Sequence, residues 1–196
     1  MKGILLGCGL VVLAVILFFG LAIASGYNRL VGLEEAVKSA WGQVENVYQR
    51  RADLVPNLVE TVKGAAAFEK DTFTAVTEAR ARVGQVNFQN VPDPAQMQRF
   101  QAAQDGLSSA LSRLLVVVER YPELKATQAF RDLQAQLEGT ENRIAVERRR
   151  FNETAQAFNT ARRRFPTVIV ASLFGFSEKP YFQAAPGSEK APQVKF

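Results

Sequence analysis

The chain opens with an apolar run and continues with amphipathic segments. Residues 4–24 contain no charged, proline or strongly polar side chain. A helix rises about 1.5 Å per residue, so a run of this length is long enough to cross a hydrocarbon core of about 30 Å. The pattern therefore predicts a single transmembrane anchor over residues 1–26.

The same apolar run is compatible with two forms of processing. Ala22-Ile23-Ala24 before Ser25 has the small-residue pattern of a signal-peptidase site. Leu5-Leu6-Gly7-Cys8 resembles a lipoprotein box, in which the cysteine would become the new N-terminus. The run exceeds the roughly 7–15 residues of a signal-peptide core, and most of it follows Cys8, so we expect a retained anchor. The sequence leaves open whether the anchor is cleaved.

Two amphipathic stripes follow the anchor. Apolar residues recur at three- and four-residue steps over residues 28–51 and again from Val55 to about Gly84, a spacing typical of helices with one buried face. Pro56 interrupts this region. Either Asp53 caps a second helix whose first turn accepts the proline, or one kinked helix continues through it.

A third helix has the best-marked start in the chain. Residues 84–92 have the composition of a loop, and Asp93-Pro94-Ala95-Gln96 then supplies an N-cap, a proline at the first helical position and a capping-box partner. Apolar residues continue the helical stripe from Met97 to Val118. Tyr121-Pro122 is expected to end this helix.

The fourth helix carries a seven-residue period. Apolar residues recur at this spacing six times: Phe130, Leu137, Ile144, Phe151, Phe158 and Phe165. Such a period keeps one seam facing a neighbouring helix, as in coiled coils and supercoiled bundles. The companion positions are weaker, namely Leu133, Thr140, Glu147, Thr154 and Ala161. A dimeric coiled coil needs two apolar rows, so we expect packing within a bundle, with the helix ending at Phe165-Pro166.

Together the elements predict an all-α protein: a single N-terminal transmembrane helix followed by an antiparallel up-and-down four-helix bundle with long helices. Short connections make sequential helices antiparallel neighbours. We assign the anchor to residues 1–26, the bundle to residues 27–166, and an aromatic, partly flexible C-terminal tail to residues 167–196. The tail either folds back onto the bundle or serves as a short recognition segment for a partner.

Composition narrows the chemistry. The chain has no histidine, and its one cysteine, Cys8, lies inside the apolar run. It therefore lacks the commonest general base, a disulfide framework and a thiol cluster for zinc. A Gly-x-Ser-x-Gly elbow and a phosphate-binding glycine loop are also absent from the sequence. We expect no enzymatic activity, no cofactor, no metal and no catalytic residue; an enzyme of unrecognised type is the least favoured alternative.

Two arginine triplets lie two seven-residue repeats apart in the fourth helix, and an asparagine follows each of two core phenylalanines between them. The residues are Arg148, Arg149, Arg150, Asn152, Asn159, Arg162, Arg163 and Arg164. This spacing favours one side of the helix and therefore a candidate interaction face. The alternatives are a solvated basic face, partly neutralised by Glu141 and Glu153, and asparagines that make only local hydrogen bonds.

The basic character of this face limits its partners. The net charge of +5 alone suits nucleic acid, anionic lipid head groups or an acidic protein surface equally well. Few exposed aromatic residues are expected near the arginines for base stacking, and the anchor restricts access, so we expect no nucleic-acid partner.

Several motifs resemble those of the LemA family across nearly the whole chain. They are Tyr27-Asn28-Arg29-Leu30-Val31, Ala40-Trp41, residues 50–64 (RRADLVPNLVETVKG), residues 121–126 (YPELKA), Phe151-Asn152, Phe158-Asn159 and Phe165-Pro166. The resemblance implies a single-pass bacterial membrane protein with an antiparallel helical bundle and no established enzymatic activity. It also hints at a partnership with a membrane protein carrying a TPM domain. Two departures are Phe68-Glu69, where many relatives have His-Glu, and phenylalanines at 151 and 158, where they have tyrosines.

These inferences predict a membrane-anchored, non-enzymatic scaffold or interaction module of the bacterial cell envelope. The alternative is a lipid-binding or membrane-remodelling protein that uses the basic helix face. Lys2 and the terminal amine favour a cytoplasmic N-terminus, which would put the bundle on the non-cytoplasmic side of the bacterial inner membrane. The anchor would contact membrane lipids, and the sequence does not specify an oligomeric state.

Overall fold

The computed structural model describes residues 2–63, 70–86, 88 and 90–183. Its elements in these ranges are helices, which we number α1 to α6: Lys2–Lys63, Lys70–Gln85, Pro94–Val118, Pro122–Lys125, Gln128–Arg163 and Thr167–Phe174. The structure confirms the all-α class and the long apolar N-terminal helix. Phe68-Glu69, residues 184–196 and the side chain of Cys8 lie outside the described part of the chain.

Helix α1 joins the apolar run to the core without a break. Its most apolar window has a mean hydropathy of 2.5, and none of that window is buried against the rest of the chain. By length and composition, α1 is therefore able to cross a membrane. Further along the same helix, Leu30, Val37 and Trp41 are buried. One continuous helix thus changes from apolar on all sides to amphipathic.

Of the two interpretations of Pro56, the continuous helix is found and the helix start at Asp53 is wrong. Pro56 lies inside α1, and the Asp53 carboxylate accepts a 2.8 Å hydrogen bond from Gln49 one turn earlier. Pro56 has no N–H for the carbonyl of Ala52, four residues before it. That carbonyl instead accepts a 3.0 Å hydrogen bond from Nε of Arg80 in α2. A side chain from a neighbouring helix therefore satisfies the group that proline leaves unpaired.

The predicted start of the third helix is confirmed. Asp93 is the N-cap of α3 and its carboxylate accepts from the N–H of Gln96 at 2.8 Å. The Gln96 side chain in turn accepts from the N–H of Asp93 at 2.9 Å. With Pro94 at the first helical position, this is a complete capping box.

The seven-residue seam of α5 is buried at five of its six positions, from Phe130 to Phe158. The sixth prediction is wrong, because Phe165 is 81% exposed. The reason is that α5 spans Gln128–Arg163 and its C-cap, Arg164, has an extended backbone with ψ of 143°. The chain leaves the helical path before Phe165, so this side chain no longer lies over the seam.

The packing of α5 on α1 follows a simple register. Trp41 and Phe151 have ring centroids 5.7 Å apart, and Arg51 forms a 2.8 Å ion pair with Glu141. As the residue number rises along α1, it falls along α5. The C-terminal end of α5 therefore lies beside the part of α1 that follows the apolar run.

Helix α6 packs against this same part of α1. A Cβ atom on Gly26 would lie 3.3 Å from Cγ2 of Val170, so the absence of a side chain lets the two helices approach closely. After α6, Gly175 has φ of +73°, a left-handed conformation that glycine adopts without strain. The chain turns there and runs back along α5 to Gln183. Of the two alternatives for the tail, folding back is what residues 176–183 do.

Candidate functional site: the face of α5 and the C-terminal clamp

The structure divides the eight predicted interaction residues into two groups. Four of them bind the chain's own C-terminal segment, residues 176–183: Arg148, Asn152, Asn159 and Arg162. We call this arrangement the C-terminal clamp. The other four side chains are exposed: Arg149, Arg150, Arg163 and Arg164. The residues predicted as one face therefore belong to two adjacent surfaces.

The two asparagines bind the main chain of the tail through both ends of their amides. Asn159 Nδ2 donates to the carbonyl of Lys179 at 2.8 Å, and its Oδ1 accepts from the N–H of Lys179 at 2.9 Å. Asn152 makes the same pair of bonds with Phe182, at 3.0 and 2.9 Å. Each side-chain amide thus pairs with both the N–H and the C=O of one tail residue, as a neighbouring β-strand would. Within this structure, the group that both asparagines bind is the tail of the same chain.

The spacing of the asparagines explains why two successive contacts fit. Seven helical residues separate Asn152 from Asn159, a rise of about 10.5 Å. Lys179 and Phe182 are three residues apart, which spans about 10 Å in an extended chain. The higher-numbered asparagine binds the lower-numbered tail residue, so the tail runs antiparallel to α5. Seven residues of α5 therefore span nearly the same length as three residues of the extended tail.

Two arginines close the clamp at its ends. Arg148 Nη2 donates to the carbonyl of Gln183 at 2.9 Å, and its guanidinium lies 4.8 Å from the ring centroid of Phe182. Arg162 Nε donates to the carbonyl of Phe176 at 2.8 Å. Its Nη1 lies 3.4 Å from a carboxylate oxygen of Glu178. Both guanidinium groups thus donate charge-assisted hydrogen bonds to main-chain carbonyls and hold the two ends of the segment.

Phe182 anchors the tail in the core, a role that the sequence did not reveal. Its side chain is 6% exposed. Its ring is stacked with Trp41 at 6.1 Å and meets Phe151 edge-on at 5.5 Å. The ring of Phe100 in α3 lies 6.4 Å away. The aromatic content of the tail was the available signal, since a ring this large is seldom left in water when a core is near.

Lys179 adds a contact between the tail and α1. Its Nζ lies 2.5 Å from Oε1 of Glu34 and 5.2 Å from the ring centroid of Phe158. Glu34 lies on α1, so this ion pair joins the tail to a second helix. The tail is therefore held by α1 and α5 together.

The exposed arginines Arg149 and Arg150 have few carboxylates close enough to neutralise them. Arg149 lies 3.9 Å from Glu153, a long pair between exposed groups of a kind that contributes little to stability. Glu141, the other proposed neutraliser, instead pairs with Arg51. The basic surface formed by Arg149 and Arg150 is thus only weakly neutralised by its neighbours.

Arg51 forms a buried polar layer between two halves of the core. Its side chain is 2% exposed and binds Ser108 Oγ at 2.9 Å, Glu141 Oε1 at 2.8 Å and the side chain of Gln104. Apolar clusters lie on either side, one around Trp41 and the other around Leu58. One guanidinium therefore connects α1, α3 and α5 at a single level.

A groove of about 560 Å³ opens between α1, α2 and α3, lined by Glu45, Arg80 and Phe88 among others. Burial raises the pKa of the Glu45 carboxyl, and the nearby Trp41 indole partly opposes the rise. Among the described residues, no group of three or more histidine, cysteine, aspartate or glutamate side chains is arranged to hold a metal ion.

Comparison with known sequences relates this chain to one family. The LemA family model matches residues 40–196. Magnetosome protein MamQ of Magnetospirillum gryphiswaldense is 26% identical over 189 residues, which cover 86% of this chain and 70% of that protein. Magnetosome protein MamQ 2 of Paramagnetospirillum magneticum is 26% identical, with coverages of 91% and 72%. Protein LemA of Metamycoplasma hominis is 24% identical, with coverages of 87% and 78%. The chain belongs to the LemA family.

Proposed function

We propose that this protein is a membrane-anchored, non-enzymatic scaffold of the bacterial cell envelope. The observation that carries the proposal is the continuity of α1 from the apolar run through the buried core to Lys63. A helix without a joint between the membrane and the core holds the rest of the molecule at a fixed height and angle. Such rigid presentation of a surface is what a scaffold requires.

We infer that the helices beyond the membrane form an antiparallel four-helix bundle. The falling register of α5 along α1 supports this, with Trp41 beside Phe151 and Arg51 beside Glu141. Arg51 also reaches Ser108 in α3, so a third helix shares the same layer. In this arrangement α2 contributes Arg80, which binds the main chain of α1.

The exposed basic surface of α5 is the surface that we propose for a partner. Trp41 follows Ala24 by nearly five helical turns, about 25 Å. Phe151 packs on Trp41, so the neighbouring Arg149 and Arg150 stand well above the lipid head groups. A membrane surface is out of reach at that height, whereas an acidic protein surface is not. The family resemblance makes a TPM-domain membrane protein the first partner to examine.

The orientation is part of the same proposal. Lys2 precedes the apolar run, and a cationic residue at that end of the span favours its retention on the cytoplasmic side of the inner membrane. The scaffold would then stand on the non-cytoplasmic side, where its partners would be envelope proteins.

Photo-crosslinking in living cells tests this proposal. The full-length chain carries a crosslinking amino acid in place of Arg149, and adducts are identified by mass. The matched control replaces Arg99, an exposed arginine on α3. We expect one dominant protein adduct at position 149 that is absent at position 99. Adducts with lipid only, adducts with the same protein only, or equal yields at both positions would contradict the scaffold.

A further inference from the structure

Helix α6 lies where the apolar run of α1 ends. Val170 of α6 packs against Gly26 at a distance that leaves little space for a side chain. The rings of Tyr27 and Phe174 have centroids 4.8 Å apart. Both contacts join α6 to the first residues that follow Ala24.

The position of this contact can be compared with the thickness of a bilayer. Gly26 is two residues beyond Ala24, which is about 3 Å along the helix axis. The polar head-group layer on each side of the hydrocarbon core is roughly 5–7 Å thick. If residues 4–24 fill the hydrocarbon core, α6 is located within the head-group layer.

The surface of α6 has the composition expected for that depth. One side packs on the protein, since Thr167, Val170 and Ala171 are buried. The other side bears two exposed apolar residues four positions apart, Ile169 at 57% and Leu173 at 70%, and Phe165, just before the helix, extends this apolar row at 81% exposure. Val168 and Phe174 are also exposed, at 38% and 51%. Nothing among the described residues covers this row, and apolar patches of this kind mark sites of contact.

Polar groups flank the row as they do in other interfacial segments. Arg163 and Arg164 precede Phe165 and are exposed. Arginine side chains can place their guanidinium groups at lipid phosphates while their stems lie along apolar surface. Tyr27, beside Phe174, is the type of residue that is enriched at membrane–water boundaries.

We propose that α6 is an interfacial helix which, together with the preceding Phe165, inserts into the leaflet from which α1 emerges. Phe165, Ile169 and Leu173 lie among the upper acyl carbons, and Arg163 and Arg164 bind anionic head groups. The molecule is thereby held to the bilayer at two points. This contact is separate from the protein-binding surface around Arg149, about 25 Å farther out.

Depth-dependent quenching tests the proposal on the full-length chain. Cys8 is replaced by alanine, and a cysteine at Leu173 carries an environment-sensitive fluorophore. The protein is reconstituted in vesicles of phosphatidylethanolamine and phosphatidylglycerol that contain lipids with a nitroxide near the head group. The matched control is a cysteine at Val116, which is 68% exposed and lies on α3 beside the core cluster farther from the anchor. Emission of Trp41, the only tryptophan, reports whether each variant retains the fold.

We expect the nitroxide lipids to quench the probe at position 173 severalfold more than the probe at position 116, and aqueous iodide to show the reverse order. Arg163→Gln with Arg164→Gln should reduce lipid quenching in phosphatidylglycerol vesicles and leave it unchanged in phosphatidylcholine. A probe at Ile169 gives a second site if the Leu173 variant loses its fold.

Two outcomes overturn the proposal. Equal iodide access at positions 173 and 116 would mean that α6 faces water. Protection at position 173 that ignores the nitroxide lipids and increases with the protein-to-lipid ratio would mean that a second copy covers α6. Neither result depends on crosslinking at position 149, so the interfacial helix and the scaffold can fail separately.

Discussion

Nε of Arg80 donates a 3.0 Å hydrogen bond to the carbonyl oxygen of Ala52, the one helical acceptor that Pro56 leaves without its usual donor. Ala52 is 8% exposed, so water has little access to this group. Because an unpaired buried carbonyl costs free energy, the arginine of α2 stabilises α1 at the proline.

The first prediction concerns this pair. Arg80→Ala should lower the free energy of unfolding by about 1–2 kcal/mol, because it leaves the Ala52 carbonyl unpaired. In a Pro56→Ala background the same substitution should cost much less, since residue 56 then supplies an N–H to that carbonyl. Urea unfolding in nanodiscs, followed by Trp41 fluorescence, measures both values.

The control is Arg82→Ala, which removes an exposed arginine of α2 whose nearest carboxylate is 3.9 Å away. It should change stability by less than about 0.5 kcal/mol. Equal costs of Arg80→Ala in the two backgrounds would show that the arginine does not act through Pro56.

This junction shows why part of the fold was predictable and part was not. The capping box at Asp93 and the seam of α5 depend on residues close in sequence, and both are found. The donor that replaces the missing N–H of Pro56 in α1 is Arg80, which is 28 residues from Ala52. A proline inside a helical pattern predicts a helix end unless another donor replaces its missing N–H. When that donor is distant in sequence, the residues around the proline do not reveal it.

The second prediction concerns Arg51. Arg51→Met removes the donor from Gln104, Ser108 and Glu141 at once and leaves buried polar groups without partners. We expect a loss of about 2–4 kcal/mol, the range for breaking a buried polar network by removing one member. The partial exposure of Glu141 favours the lower half of that range.

Arg51→Lys should also destabilise the fold, because an ammonium cannot reproduce the guanidinium fork that reaches two helices. Arg50→Met is the control, since Arg50 is the exposed neighbour on the same turn. If Arg50→Met and Arg51→Met were equally costly, the polar layer would not be important for stability.

The third prediction concerns the C-terminal clamp. In Asn159→Ala, the N–H of Lys179 loses its acceptor, so hydrogen exchange at that amide should accelerate about tenfold for each 1.4 kcal/mol lost. Asn152→Ala should have the same effect at Phe182. Hydrogen exchange of the full-length chain, read by mass spectrometry at residues 179–183, measures both changes.

Asn142→Ala is the matched control, because it removes an exposed asparagine from the same helix. It should leave exchange in the tail unchanged. Unaltered exchange at Lys179 in Asn159→Ala would show that the aromatic contacts of Phe182 alone hold the tail.

The C-terminal clamp also shows which part of the site could be predicted from the sequence and which could not. The repeats placed Asn152 and Asn159 correctly on one side of α5, and the arginine triplets lie in the same region. Periodicity along one helix does not identify what packs on it, so the tail could not be distinguished from a partner. Each triplet covers most of a helical turn, which is why Arg148 binds the tail while Arg149 faces solvent.

The fourth prediction uses the raised pKa of Glu45. Because burial raises this pKa in the folded state, the folded protein binds a proton more tightly than the unfolded chain. The contribution of Glu45 to stability should be most favourable below its ordinary value of 4.5 and should be lost as the pH rises through its raised pKa. Glu45→Gln should therefore be more stable than wild type at neutral pH, and this advantage should shrink towards pH 4.

Urea unfolding across this pH range measures the difference between Glu45→Gln and wild type. The exposed Glu35→Gln on the same helix controls for the loss of one carboxylate. A Glu45→Gln difference that is constant with pH would contradict the effect of burial.

The fifth prediction concerns Gly175, which sets the direction of the tail. Its φ of +73° lies in the left-handed region, where a Cβ atom costs about 1–2 kcal/mol. Gly175→Ala should therefore weaken docking of the tail and speed exchange at Lys179 and Phe182. Gly139→Ala, at an exposed position inside α5 with open space around it, should instead raise stability by about 0.5–1 kcal/mol. Opposite signs for the same chemical change would show that backbone direction at Gly175, rather than the lost flexibility of a glycine, returns the tail to its clamp.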